Sequence, residues 1–501
     1  MTVASKGLGF WFVCHLAACA ASPSPPSAAP ATPEPPVAPV PSPATPERSL
    51  PPDAEVQRIL DERVGELGAY HGIVVGLVDA SGRRIISRGS LGKGRERALD
   101  GDTLFELGSV SKVFTALLLA IAVERGELGL DDPLAQHLRP GSAVPSFEGQ
   151  GITLRQLATH TSGLPRVPTN LKPRDPLDPY AEYTVENLYE FLATYTLTRA
   201  PGSSYEYSNL GAALLARALI VRTGKTYAEL VRERIAEPLG LRHTWVDVPE
   251  AEKASLATGH TQALYDAPLR SRVAMIGNGG VFSTANDLLT FLSAGMGSVE
   301  TPLASAFAQI ATAQRPIGER GGSIGLGWHI ATANGAEVVW HNGGTAGFCS
   351  FAAYLPGAKQ GVVALANVSA DGGVDDIGMH LIAQAPLLPP GTPGITLTLP
   401  REQVALEPRR LDAYVGAYQL GEGKSLYVKR EDEQLIVELS ERARFPIFPE
   451  SETVFFMKVM DITFRFETGA AGKAVAVVMG QGGKEHRFAK APAPPKRGPA
   501  R

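Results

Sequence analysis

The sequence predicts an α+β protein: an antiparallel sheet flanked by helices, an all-helical subdomain beside it, and a small all-β domain at the C-terminal end. Three observations carry this. Strand-like segments stand on both sides of a long helix-rich middle, so the order is strands, helices, strands. Past residue 409 short alternating segments recur at spacings of roughly ten residues. Pro-rich stretches break the chain before residue 53 and again at about 384–400.

The elements follow in order. Residues 1–19, MTVASKGLGFWFVCHLAAC, place Lys6 before an apolar run at 7–18. That run is too short to span a bilayer as a mature helix and suits a signal peptide. It ends in Leu16-Ala17-Ala18-Cys19, which resembles a bacterial lipobox. The resemblance implies lipidation of Cys19; plain cleavage near Ala20 is the alternative. The expected location is the bacterial envelope, periplasmic and lipid-anchored, with the membrane reached only through Cys19. Residues 20–52 form a linker: thirteen of the 40 prolines fall between positions 23 and 52. Proline fixes φ and removes amide donors, so this stretch is a polyproline-like tether reaching roughly 90 Å at ~3.1 Å per residue.

Residues 53–385 form the main domain. EVQRILDERVGEL has apolar residues at helical spacing, and GIVVGLVDASGRRIISRG reads as strand, Ser-Gly turn, strand. The middle, about 102–300, holds a series of helical segments ending at Gly or Gly/Pro pairs. Strand patterns return at 325–368 in GLGWHIATA, AEVVWHNGG, SFAAYLP and GVVALANVS. The simplest packing joins the first hairpin to these strands in one sheet. A cleft then lies between sheet and helical region, a favoured place for a small-molecule site. Residues 386–408 are a second linker, 409–490 a small barrel-like β domain, and 491–501 a disordered tail.

Composition narrows the partners. The chain is 44% hydrophobic with a net charge of −4, and no Lys/Arg stripe suggests nucleic acid. A small-molecule substrate fits better. Two of the three cysteines lie in the first 20 residues, so Cys349 alone cannot build a disulfide framework and is expected to be a small buried residue. Neither a metal-ligand cluster nor a phosphate loop is visible, and no cofactor is expected.

The chemistry starts at Phe105-Glu106-Leu107-Gly108-Ser109-Val110-Ser111-Lys112. Ser109 and Lys112, at i and i+3, share one helix face; Ser111 stands too close in sequence to Lys112 to do so. A serine hydroxyl is a poor nucleophile unless a base takes its proton, and an amine serves only if burial or nearby cations lower its pKa. Taken alone, the spacing also fits a helix start with a capping serine and a solvated lysine. The eight residues together closely resemble the active-site segment of class C serine β-lactamases and, more broadly, the penicillin-binding-protein-like serine hydrolases.

That resemblance implies two further motifs. Tyr207-Ser208-Asn209 matches the Tyr-x-Asn motif, in which the tyrosine shares proton transfer with the lysine and the asparagine contacts substrate and the lysine. A phenol beside a lysine ammonium can have its pKa lowered. The stretch Trp340-His341-Asn342-Gly343-Gly344-Thr345-Ala346-Gly347 stands where the family has Lys-Thr-Gly, with His341 in place of the lysine. Histidine can be neutral at pH 7, so it holds a substrate carboxylate less surely. The resemblance assigns Ser109, Lys112 and Tyr207 to catalysis; Asn209, His341, Asn342 and Gly343 to substrate binding; and the amides of Ser109 and Gly344 to an oxyanion hole. His160 is expected to order its loop. The domain at 409–490 resembles the lipocalin-like appendage some of these hydrolases carry, either binding ligand or packing on the main domain. The expected function is β-lactam hydrolysis of class C type through a Ser109 acyl-enzyme. An esterase, D,D-carboxypeptidase or D-aminopeptidase of the same fold is the alternative, and a non-catalytic envelope binding protein stands further off.

Overall fold

The computed structural model describes residues 49–491, apart from 67–69, 96, 176, 270–271, 318–321, 371, 390–400, 421–423, 441–442, 461, 471 and 482–483. The expected signal segment with Cys19, nearly all of the first expected linker, much of the second and the tail lie outside the described residues. No helix among the described residues is long and apolar enough to cross a membrane.

The hairpin Gly72–Asp79/Gly82–Gly89 joins the later strands in one eight-stranded sheet. Its inner strand pairs antiparallel with Gln360–Ala366, in register Ile73↔Ala366 through Val78↔Gly361. Next come Cys349–Leu355, then Ala336–Gly344, then His329–Ala333 and two short edge pieces. The central strands are buried on both faces, which is why GIVVGLVD is nearly continuously apolar. Val74 and Val78 meet the larger core on one side; Ile73, Val75 and Leu77 meet a second core on the other. Helices Asp53–Leu60 and Asp375–Ala383 bury their apolar residues in that second core.

Helices Ser111–Glu124, Asn209–Thr223 and Ala285–Gly295 pack into the larger core with the helical subdomain. Ser111–Glu124 is apolar on nearly all sides, as a helix enclosed by protein must be. Asn209–Thr223 is capped by Ser208, whose hydroxyl accepts from the Gly211 amide, and ends at Gly224 in the left-handed conformation.

Residues 416–490 close into an eight-stranded antiparallel barrel. Its interior is filled by Tyr418, Val437, Phe455, Phe464, Phe466 and Met479, all buried. The barrel docks on the main domain through Tyr265, whose ring stacks on Phe456 at 6.0 Å and whose hydroxyl donates to the Arg401 carbonyl at 2.5 Å.

Candidate active site

The segment carrying Ser109 is fixed from both sides by hydrogen bonds to its backbone. The Leu107 amide donates to the Val281 carbonyl at 2.9 Å, and Ser350 Oγ donates to the Leu107 carbonyl at 2.7 Å. Gly108 has φ +51° and lies so close to the Ala336–Gly344 strand that a Cβ there would meet Gly344 N at 2.8 Å. A Cβ on Gly343 would meet the Leu107 carbonyl at 2.0 Å. Both glycines are needed for this approach, which brings the turn carrying Ser109 against the strand carrying Gly344.

Ser109 sits in the tight helical turn Gly108–Val110 that leads into Ser111–Glu124. Lys112 Nζ lies 2.8 Å from Ser109 Oγ and donates to the Asn278 carbonyl at 2.8 Å. Lys112 is only 3% exposed, in a place with no carboxylate bonded to it among the described residues. Burial first, then Arg166 and Arg272, push its amine well below the ordinary lysine value. A lysine held neutral has a lone pair to offer the Ser109 proton. Ser111 is used differently: its Oγ accepts from the Val281 amide at 3.1 Å.

Tyr207 reaches the same point from the start of the next helix, its ring centroid 5.0 Å from Lys112 Nζ. Burial pushes the phenol up to about 12, against the opposing pull of the Ser109 hydrogen bond and Arg166. The lowered phenol pKa considered from sequence is therefore not found. Burial of the phenol itself outweighs the charges around it, so Tyr207 stays a protonated donor. Asn209 lines the cleft with its Oδ1 buried and unbonded, and its backbone N–H donates to the Arg166 carbonyl. No hydrogen bond from Asn209 to Lys112 is formed.

His341 lies behind Tyr207, at 0% exposure, with ring centroids 6.3 Å apart. Its Nδ1 is 2.6 Å from the Asn342 carbonyl, and burial, His329 and Lys112 hold it well below the usual histidine range. It is neutral and set back from the cleft wall, which is lined by Trp340, Asn342, Gly343 and Gly344. His160 and His329 complete a ring of imidazoles around Tyr207, at 4.4 and 6.4 Å. His160 Nδ1 accepts from the Ser208 amide, which ties its loop to the tyrosine segment.

Four features were not read from the sequence. Glu106 and Arg272 form a buried ion pair at 2.7 Å directly beside the nucleophile turn. Glu106 is an acidic residue type between the apolar Phe105 and Leu107, and that was the available signal. His329 joins the tyrosine surround, although its GLGWHI segment was noted. Arg166 lines the cleft with its guanidinium 5.0 Å over the Tyr207 ring. The barrel residues Phe445, Val459 and Met460 line the same cleft as Ser109.

Asn342 Nδ2 donates to Asp375, whose carboxyl is pushed up to about 7 by burial, against the pull of that hydrogen bond. The folded chain therefore holds a proton that the unfolded chain releases near pH 3.8. This contribution to stability is full below about pH 4 and is lost as pH rises to about 7. Asp375→Asn is expected to raise unfolding free energy at pH 8 by roughly 1–3 kcal/mol and to change it little at pH 4. Denaturant melts at the two pH values test this; equal shifts at both would count against it.

The Beta-lactamase family model matches residues 56–386, and a Domain of unknown function (DUF3471) matches residues 400–490. The D-alanyl-D-alanine-carboxypeptidase/endopeptidase AmpH of Escherichia coli (strain K12) is 29% identical over 341 residues, covering 64% of this chain and 87% of that protein. A class C beta-lactamase structure from Rhodobacter sphaeroides superposes with a TM-score of 0.54 at 27% identity, covering 63% of this chain and 94% of that one. The octameric penicillin-binding protein homologue from Pyrococcus abyssi covers 87% of this chain and 99% of its own, with a TM-score of 0.58 at 21% identity. At that identity the last match speaks for the fold alone, barrel included.

Proposed function

The chain belongs to the beta-lactamase family, and from that premise we propose that it is a serine acyl-transfer hydrolase that opens β-lactams or related amides and esters through a Ser109 acyl-enzyme. One observation carries the reading: a buried Lys112 amine 2.8 Å from the Ser109 hydroxyl, in surroundings that push its pKa well below the ordinary lysine value. In the proposed reaction Lys112 takes the Ser109 proton as Oγ attacks the carbonyl carbon. The Ser109 and Gly344 amides receive the oxyanion. The Tyr207 phenol gives its proton to the departing nitrogen or oxygen and is reprotonated from Lys112. Water then attacks the acyl-enzyme, and the same groups return Ser109 to its resting state. The unbonded Oδ1 of Asn209 suits a substrate N–H.

The replacement of lysine by a neutral, recessed His341 removes one cation from the motif strand. Arg166 supplies another from the opposite wall, and we assign it to a substrate carboxylate. A carboxylate beside a scissile amide occurs in β-lactams and in D-amino-acid peptides alike. Both stay within the reading, and the peptide side is favoured by the similarity to AmpH. Export to the periplasm, with or without a lipid on Cys19, belongs to the same proposal.

Purified protein should be incubated with nitrocefin, a p-nitrophenyl ester and an acyl-D-alanyl-D-alanine peptide. Turnover of at least one, with a mass adduct on the Ser109 peptide, is expected. The absence of both turnover and adduct with all three would overturn the proposal.

The proton inventory adds a pH test. The neutral amine is the active form, so kcat/KM on an uncharged ester should rise with pH through the Lys112 pKa and plateau well below 10.5. An acid limb near 10 would show an ordinary ammonium and remove Lys112 as the base.

A further inference from the structure

We propose that the C-terminal barrel completes the substrate cleft: Phe445, Val459 and Met460 form an apolar wall that selects acyl substrates carrying an extended aliphatic or aromatic group. This rests on Ser109 being the nucleophile.

The cleft beside Ser109 has a volume of about 500 Å³. One side of it comes from the motif strand and another from the 166–180 segment, including Leu171, Leu177 and Tyr180. Among the described residues, the barrel contributes three to a further side, Phe445, Val459 and Met460, all of them apolar. Phe445, in the strand Ala443–Pro449, packs in the barrel core at 5% exposure and lines the cleft from there. Val459 and Met460 sit in the turn between Val454–Phe456 and Ile462–Thr468. That turn is internally bonded: Met457 N donates to the Ile462 carbonyl at 3.0 Å and Ile462 N to the Met460 carbonyl at 2.8 Å. The wall is therefore a shaped surface, held before substrate arrives.

Its position is fixed by the same contacts that dock the barrel. Lys458, next to Val459, lies 4.0 Å over the Phe448 ring and 5.7 Å over Tyr265. Tyr265 belongs to a loop bonded back to the sheet: Thr261 N donates to the Tyr265 carbonyl at 2.7 Å, and His260 N to the Gly347 carbonyl at 3.1 Å. Gly347 follows the motif strand by three residues, and Gln262 of this loop also lines the cleft. The docking contacts thus end at the rim of the site. Val459 and Met460 of this outer turn face the same cleft as Ser109. Apolar groups on both walls reward a substrate that leaves water on either side of its acyl chain or leaving group.

The test uses the full chain with p-nitrophenyl acetate and p-nitrophenyl octanoate. In Met460→Asp and Val459→Asp the octanoate-to-acetate ratio of kcat/KM is expected to fall on the order of tenfold, because a hydrophobic subsite discriminates by about that factor per group it holds. Met460→Leu should keep the wild-type ratio. Thermal unfolding at the wild-type temperature shows that the fold is intact. Folded variants with an unchanged ratio would overturn the wall while leaving a Ser109 adduct standing. Without an adduct in the wild type, both the wall and the nucleophile assignment fall.

Discussion

Ser109→Ala is expected to lower kcat on the order of ten-thousandfold or more and to abolish the covalent adduct, because a nucleophile and its base act as one unit. Lys112→Ala should cost a similar factor. The double variant should cost little more than either single one, since each already removes the pair. Ser111→Ala separates this from a generic loss of structure. Ser111 Oγ accepts from the Val281 amide at 3.1 Å in the core beside the site. Its removal leaves that amide without its acceptor, at a cost of roughly 1–3 kcal/mol of stability, yet the adduct should still form on Ser109. Active-site titration with a slow ester, read by intact-protein mass, distinguishes the three variants. An adduct that persists in Ser109→Ala and vanishes in Ser111→Ala would reverse the assignment. The geometry argues against that outcome, since Lys112 Nζ lies 2.8 Å from Ser109 Oγ.

Much of this site was legible because its parts are local. Ser109 and Lys112 are three residues apart, so one turn of backbone settles their geometry. The strand patterns at 325–368 and the apolar run of GIVVGLVD made the sheet legible, because burial on both faces of its central strands writes itself into sequence as near-continuous apolar runs. What was missed depends on long-range contact. Glu106 is 166 residues from Arg272, and no local pattern joins them. The Tyr207 phenol was expected to be lowered by a neighbouring ammonium, but its own burial, which depends on long-range packing, raises it. His341 was read as a substrate-facing residue from its place in the motif. Its register opposite Ala352 puts it on the strand face that Tyr207 and His329 cover. The barrel wall needed the docking of two folded parts, and nothing in LDAYVGAYQL or TVFFMKV says which outer turn meets the cleft.

Arg166→Gln is expected to lower kcat/KM by roughly 10–100-fold for substrates bearing a carboxylate, such as benzylpenicillin or an acyl-D-alanyl-D-alanine peptide, in keeping with the loss of a charge-assisted hydrogen bond. Among the described residues, two cationic side chains line the cleft, Arg166 and Arg272. Arg272 is committed to Glu106 at 2.7 Å. Arg166 has no carboxylate within ion-pairing distance among the described residues, and its Nε is buried without a hydrogen-bond partner. Its guanidinium is instead laid on the Tyr207 ring, a stacking that holds it rigid without neutralising it. A fixed and unpaired fork beside the nucleophile favours a planar anion. Arg166 also acts through space, as one of the cations that lower the Lys112 pKa. The two roles leave different signatures. Loss of carboxylate binding raises KM for the charged substrates and spares p-nitrophenyl acetate. Loss of the field shifts the acid limb of the pH–rate profile upward for every substrate, charged or not. Arg166→Lys keeps the charge and loses the fork, so it should restore the pH profile and recover carboxylate binding only in part. Equal losses on charged and uncharged substrates, with no change in selectivity between them, would reduce Arg166 to a positioning residue for Lys112 and Tyr207.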